Sequence, residues 1–343
     1  MLDFGASLLR RLPAETAHDL TLALMARLKL APRRLADPPV LRVQALGLSF
    51  PNPVGLAAGF DKNAALPDAM GKLGFGFVEC GTVTPRPQAG NSKPRLFRLS
   101  EDRAVINRMG FNNGGMMLAA ANLKRRTGQG IVGINIGANK DSEDRIADYR
   151  TAFAELAALA DYVTVNISSP NTPGLRGLQN RDELTRLIGT VLETRGAAAT
   201  PVLVKIAPDL DEAALDEIAA VALMSGIDGL IVSNTTIARP PLKNAHAGET
   251  GGLSGAPLLV PSTKILRGVR QRTGNKLTLI GAGGIASGAD AYAKIRAGAS
   301  LVQLYSALVF EGPGLVARIK SELAECLTRD GYDSVSEAVG ADA

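Results

Sequence analysis

From about residue 53 onward, short apolar runs alternate with longer segments of helical period. The runs are Gly55–Ala58, Phe77–Cys80, Ile131–Ile136, Tyr162–Val165, Val202–Ile206, Gly229–Val232, Leu277–Gly281 and Leu301–Leu304. Near-continuous apolar runs of this length are strands buried on both faces, and a helix or long crossover between successive strands makes their sheet parallel. Eight such units predict an α/β fold closed as a (β/α)8 TIM barrel, with a doubly wound open sheet as the alternative. Two features count against the open sheet. No G-x-G-x-x-G opens the first strand–helix unit, and polar or glycine residues follow most of the strands, on the rim where barrels build their sites.

The first forty residues follow another pattern. Leu2–Leu12 and Ala14–Leu30 read as two short helices separated by Pro13, ended by Pro32 and followed by Pro38–Pro39. In the second, Leu20, Leu24 and Leu28 form one stripe while Leu22 and Met25 form another, so two apolar faces need two partners. One partner is the barrel. The other is the acyl region of a membrane, with Arg10, Arg11, Arg27, Lys29, Arg33 and Arg34 meeting headgroups, or else the pair is a hairpin docked on its own domain. The expected division is residues 1–39, an N-terminal two-helix extension, and residues 40–343, the barrel domain.

Composition narrows the class. A hydrophobic content of 46% over 343 residues supports a full core, and the net charge of +5 is spread along the chain without a run of five Lys/Arg or interleaved aromatics, which argues against a nucleic-acid partner. Only Cys80 and Cys326 are present, in strand-like and helix-like runs, so neither a disulfide framework nor a metal site is expected. The longest uncharged stretch, Val43–Phe60, is broken by Ser49, Pro51, Asn52 and Pro53 and cannot span a bilayer. Met1–Leu12 lacks the apolar core of a secretory signal, so the expected location is the cytoplasmic side.

The strand ends carry the candidate chemistry. Gly59–Lys62 follow the first, Gly81–Thr82 the second, Asn135 and Asn139 flank the third, and Asn166–Asn171 follow the fourth. Lys205 lies in the fifth, Ser233–Thr235 follow the sixth, Gly281–Gly284 the seventh and Tyr305–Ser306 the eighth. The loop Asn166-Ile167-Ser168-Ser169-Pro170-Asn171-Thr172-Pro173-Gly174 reads as an active-site loop, because two prolines fix its path while its hydroxyls and carboxamides remain free. Lys205 is a cation within an apolar strand, costly to bury unless it is paired or used; it could form a Schiff base or stabilise negative charge developing on a cofactor. Glycines after strand seven, with Ser306 opening a helix after strand eight, suit a phosphate. Asn107–Asn113 form a second polar loop whose carboxamides suit a planar ligand with alternating donors and acceptors.

These motifs resemble the dihydroorotate dehydrogenase family in its membrane-associated, quinone-reducing class, over nearly the whole chain. The resemblance rests on Ala57–Lys62, Gly81–Gln88, Lys93–Leu99, Asn107–Phe111, Asn166–Gly174, Gly251–Gly255 and Leu279–Ile285 with Gly298–Ala299. It implies one FMN per chain, with its phosphate at Gly255, Gly284, Tyr305 and Ser306 and its ring near Ala58, Gly59, Lys62, Thr82, Asn135, Asn166, Lys205 and Ser233. Lys205 then looks like the group that stabilises an anionic flavin. Dihydroorotate would be held by Lys62, Asn107, Asn166, Asn171, Asn234 and Thr235, with Arg108, Met109, Gly110 and Phe111 completing the substrate loop.

Ser169 would be the base, taking a proton from carbon 5 of dihydroorotate, and because serine is a weak base a water or hydroxyl relay in a closed, dry loop is required. The family's soluble class carries cysteine here, so Ser169 points to the membrane-associated class. In that class the N-terminal helices form the entrance for a membrane quinone, ubiquinone or menaquinone, and His18 and Arg98 match positions near that tunnel. The resemblance further implies pyrimidine biosynthesis, a monomer, and a peripheral protein on the cytoplasmic face of a bacterial membrane.

Overall fold

Eight parallel strands close a barrel in the computed structural model, which describes residues 9–27 and 37–343. In chain order the described helices and strands are α1 (Ala14–Arg27), β1 (Val43–Ala45), β2 (Leu48–Phe50), β3 (Val54–Leu56), α2 (Pro67–Gly71), β4 (Phe77–Val83), β5 (Leu96–Leu99), β6 (Ala104–Asn107), α3 (Met116–Lys124) and β7 (Ile131–Ile136). They continue with α4 (Arg145–Leu156), β8 (Tyr162–Asn166), α5 (Arg181–Arg195), β9 (Val202–Ile206), α6 (Glu212–Ser225), β10 (Gly229–Val232) and β11 (Gly252–Gly255). The last are α7 (Leu259–Thr273), β12 (Thr278–Ala282), α8 (Gly288–Arg296), β13 (Leu301–Leu304), α9 (Ser306–Glu311) and α10 (Leu315–Arg329). The barrel runs β3-β4-β7-β8-β9-β10-β12-β13, and β13 pairs with β3 to close it. All eight strands expected from the apolar runs are there, with ends displaced by no more than a few residues.

Their apolar continuity has its cause in burial on two sides. Val202–Ile206 and Gly229–Val232 are buried at every position, between the helical ring and the barrel interior. The floor is filled by two rings. A Cβ at Gly55 would lie 2.3 Å from the Phe77 ring and one at Gly133 would lie 2.1 Å from the Tyr162 ring, so both strands give up a side chain to admit an aromatic. Several helices start where local chemistry dictates: Asp144, Asp211 and Ser287 accept the backbone N–H three residues on, at Ala147, Ala214 and Asp290.

Two elements escaped the sequence reading. Val43–Phe50, part of the uncharged stretch, is the antiparallel hairpin β1–β2, turned through Leu46 and Gly47 at φ 54° and 71°, and Phe50 packs edge-on against Phe77 beneath the barrel. At the other end β5, β6 and β11 form an antiparallel sheet in which Asn107 pairs with Leu96 and with Gly252. That sheet stands over the C-terminal rim and walls the site.

The second N-terminal helix is present as α1. It buries Ala17 and Met25 and leaves Leu20 and Leu24 about two-fifths exposed, so one face meets the barrel and another does not. The expected first helix, Leu2–Leu12, lies outside the described residues except for Leu9–Leu12, and Leu28, Lys29, Leu30, Pro32, Arg33 and Arg34 lie outside them too. Among the described residues no helix is long and apolar enough to cross a membrane.

Candidate active site

The C-terminal ends of the barrel strands, the β5–β6–β11 sheet and α1 enclose one cavity of about 530 Å³. Ala58, Gly59, Lys62, Thr82, Asn166, Ser169, Lys205, Ser233, Gly255, Gly284, Tyr305 and Ser306 all line it. So do Asn107, Met109, Gly110, Phe111, Asn171, Asn234 and Thr235, together with His18 and Arg98. The sequence-predicted residues therefore converge, with two exceptions. Asn135 lies one layer deeper: its Oδ1 accepts from Thr82 Oγ1 at 2.6 Å and Asn166 Nδ2 at 3.1 Å, while its Nδ2 donates to Glu79 at 2.8 Å. Arg108 turns outward, paired with Glu249 at 2.7 Å and lying over the Phe97 ring at 4.6 Å, so its side chain is not part of the expected substrate loop.

Lys205 is delivered by parallel register. It sits opposite Asn166 on β8 and Ile231 on β10, and inward alternation aims it up the barrel. Lys205 is 6% exposed, and among the described residues its Nζ has no hydrogen-bond partner. Burial pushes the Lys205 ammonium below the usual lysine range, while the Glu79 carboxylate pulls it back up.

The Asn166–Gly174 loop is tightly internally bonded. Ser168 Oγ donates to Asn166 Oδ1 at 2.9 Å and accepts from Asn234 Nδ2 at 2.9 Å, which uses up Ser168. Ser169 Oγ, by contrast, accepts the backbone N–H of Asn171 at 3.2 Å and donates to no other described residue, and Ser169 lines the cavity. Thr172 Oγ1, three residues on, is buried without a partner among the described residues. Asn171 is anchored in turn by its Nδ2 on Asn107 Oδ1 at 3.2 Å. Arg176 binds the loop to its neighbours: Nε donates to Ser168 O and Nη2 to Thr235 O, each at 3.0 Å, and Nη1 meets Asp209 at 2.8 Å.

On the far side Gly283 and Gly284 adopt φ 106° and 82°, and a Cβ on Gly284 would lie 2.4 Å from Leu259 N at the start of α7, so glycine is required there twice over. Ser254 and Ser306 hydroxyls meet at 2.8 Å beside them. From α1, His18 lies 3.3 Å from both Lys62 Nζ and the Tyr305 hydroxyl. Arg98 donates to the Arg10 carbonyl at 2.6 Å, closing the cavity toward the N-terminal segment.

Sequence reasoning missed Glu79 and Gln303, both fully buried inside the barrel and joined at 2.9 Å. Among the described residues Gln303 Oε1 lacks a partner, and the residue lines the cavity. The signal was available, since each is a polar residue within an apolar strand, as Lys205 is.

Comparison with known proteins agrees with this geometry. The family model described as dihydroorotate dehydrogenase matches residues 40–327. A relative named dihydroorotate dehydrogenase (quinone) from Parvibaculum lavamentivorans is 60% identical over 331 residues, covering 96% of this chain and 94% of its own. A second of that name, from Novosphingobium aromaticivorans, is 56% identical over 341 residues, covering 98% and 97%. The crystal structure of DHODH from Eimeria tenella in complex with ferulenol superposes with a TM-score of 0.93 at 42% identity, covering 96% of each chain. With a family match across the whole barrel and relatives aligned nearly end to end, the chain belongs to the dihydroorotate dehydrogenase family.

Proposed function

We propose that the chain oxidises dihydroorotate to orotate, with FMN in the barrel mouth as first acceptor and a membrane quinone as final acceptor, in pyrimidine biosynthesis. The observation that carries this reading is one continuous cavity lined by Ser169, Lys205 and the inner face of α1. The residues fit FMN. A buried lysine without a hydrogen-bond partner suits an anionic ring, the orphaned Gln303 Oε1 suits a donor on its edge, and Gly255, Gly283 and Gly284 with Ser254 and Ser306 suit its phosphate. FMN, when bound, supplies the two-electron acceptor.

The chain's own residues do the rest. Lys62 pairs with the substrate carboxylate, and Asn107, Asn166, Asn171, Asn234 and Thr235 read the edge of the pyrimidine ring. Ser169 Oγ removes the proton from carbon 5. The Asn171 N–H that it accepts stabilises negative charge on that oxygen, and the buried Thr172 hydroxyl, unpartnered among the described residues, is the relay group the loop offers. Arg176 holds the loop shut and keeps water out.

Residues 1–39 act as a separate module. The exposed Leu20 of α1 rests against lipid with Leu24 at the edge of the cavity, Arg11 and Arg27 meet headgroups while the Arg10 guanidinium turns inward to the Phe310 carbonyl, and quinone enters past His18 and Arg98. The protein is then a peripheral monomer on the cytoplasmic face of a bacterial membrane. An anaerobic absorbance spectrum before and after dihydroorotate tests the first stage: a flavin band that bleaches is expected. A protein that stays colourless after FMN reconstitution discards the oxidoreductase reading, and a yellow protein that does not bleach reopens the substrate.

A further inference from the structure

Lys294, on α8, is a fully buried lysine outside the cavity, and among the described residues no carboxylate pairs with it. Its Nζ donates to one side chain, the hydroxyl of Ser262 on α7, which is itself fully buried. The carboxylates that meet α8 are engaged elsewhere. Asp290, one turn earlier, accepts the Ala286 N–H at 3.0 Å, Glu322 from α10 accepts the Gly288 N–H at 2.6 Å, and Asp330 and Asp342 are held by Tyr292 and Arg296. The helix α7 has no acidic residue, and β12 and β13 carry no charge at all. Lys320, the other lysine buried in the helical ring, shows the usual remedy, an ion pair with Asp37. A buried ammonium met only by a neutral hydroxyl lacks the anion that would offset its desolvation.

The position of Ser262 says where that anion belongs. Its Oγ donates to Leu258 O at 2.6 Å and lies 3.3 Å from Gly283 O, and a Cβ on Gly283 would come within 2.9 Å of it. The lysine stem packs on the same segment, since a Cβ on Gly281 would lie 3.2 Å from Lys294 Cβ. Gly283 and Gly284 line the cavity, whereas neither Ser262 nor Lys294 does. One layer of glycine backbone therefore separates the lysine from the place read as the phosphate site. In a dry interior opposite charges attract across such a layer with little screening.

We propose that Lys294, acting through Ser262, is a positioning residue for the FMN phosphate, a buried cation behind the Gly283–Gly284 loop whose missing anion is that phosphate. The proposal rests on the FMN reading above. It agrees with the state of the empty site, where burial pushes Lys294 down to about 7 against the pull of Asp290. A phosphate on the cavity face of the loop would hold the ammonium form, and the ammonium would hold the phosphate.

The test compares the affinities of the full-length protein, stripped of bound flavin, for FMN and for riboflavin, which differ only in the phosphate. Lys294→Met, similar in volume, is expected to weaken FMN by about 10- to 100-fold and to leave riboflavin within about twofold of wild type. Ser262→Ala, an exchange that a helix interior accepts readily, is expected to act with the same selectivity and a smaller factor. The two changes together should add little to Lys294→Met alone, because they interrupt one chain of contacts.

A lysine that only packs the ring would lower both affinities alike or neither, and either result overturns the proposal. Should Lys294→Met fail to fold, Ser262→Ala decides by the same comparison, and an unchanged preference for FMN overturns it. A wild type that binds neither flavin counts against the FMN reading, and inorganic phosphate then takes the place of the flavins. It should raise the melting temperature of wild type more than that of either variant; an equal rise, or none, overturns the proposal.

Discussion

Nε2 of His18 lies 3.3 Å from Nζ of Lys62, and Nδ1 of the same ring lies 3.3 Å from the Tyr305 hydroxyl. An ammonium can only donate, so Nε2 accepts and Nδ1 carries the proton offered to Tyr305. Burial and the Lys62 charge together hold His18 down at about 3, which keeps the ring neutral and matched to both neighbours. The helix α1 is thus wired to the residue read as the carboxylate binder.

Burial also pushes Lys62 down to about 8, against the pull of Asp19 and Glu15. The sign of the consequence is clear: the ammonium binds an anionic substrate and the amine does not. KM for dihydroorotate should be level below about pH 8 and climb up to tenfold per unit above it, with bound substrate shifting the break upward. Lys62→Met should raise KM by about 10- to 100-fold, the value of a charged hydrogen bond, and flatten the alkaline limb. Steady-state KM against pH in both proteins checks this, and an alkaline limb that survives in Lys62→Met would assign it to another group.

Ser169 is predicted to matter for chemistry and little for binding. Its hydroxyl accepts one backbone N–H and carries no structural hydrogen bond to another side chain, so Ser169→Ala should leave FMN content and substrate affinity near wild type. The rate of flavin reduction should fall by about 10²- to 10⁴-fold, the usual contribution of a positioned base. Ser169→Cys should recover part of that rate with a profile displaced toward the thiol's own ionisation, because a thiol near pKa 8.5 loses its proton more readily than an alcohol. Stopped-flow bleaching under anaerobic conditions separates this from a binding defect.

Much of this site was legible because the barrel reduces topology to order along the chain. Once eight apolar runs were recognised, the residue following each run had to reach one rim, and Ser169, Lys205, Asn166 and Gly284 fell together without further information. Pairings distant in sequence were not legible. The β5–β6–β11 sheet joins Asn107 to Gly252, and nothing local in either segment announces the other. Arg108 misled for a related reason: its loop position suggested the substrate, but its side chain found Glu249 and Phe97 across that same sheet. Glu79 and Gln303 were hidden in plain apolar strands, where a polar residue marks either an error of pattern or a buried network.

Arg176 should be more than a surface guanidinium. It joins the loops after β8, β9 and β10 through Ser168 O, Asp209 and Thr235 O, a planar fork that lysine cannot reproduce. Arg176→Lys and Arg176→Ala should both slow turnover by about tenfold or more, since each lost charged hydrogen bond is worth about 1.5 kcal/mol or more. Limited proteolysis should then cut within Asn166–Gly174 faster than in wild type. Unchanged cleavage alongside reduced turnover would place the effect in substrate contacts rather than in closure of the loop.

Deleting residues 1–39 separates the two stages of the proposed reaction. The deletion removes the Glu15 carboxylate from Arg95, to which it is held at 2.7 Å, and uncovers the barrel surface beneath Ala17 and Met25, so a lower melting temperature is expected. Burying a methionine is worth about 1.5 to 3 kcal/mol, which the large independent core of the barrel can lose without unfolding. The rim residues proposed to hold FMN remain, so the truncated chain should keep its flavin and reduce it once with dihydroorotate, more weakly as Lys62 loses His18. Turnover with a quinone analogue should collapse while a small water-soluble acceptor still reoxidises the flavin. Quinone turnover that survives the deletion would remove α1 from the electron path and leave its exposed leucines without the role assigned to them.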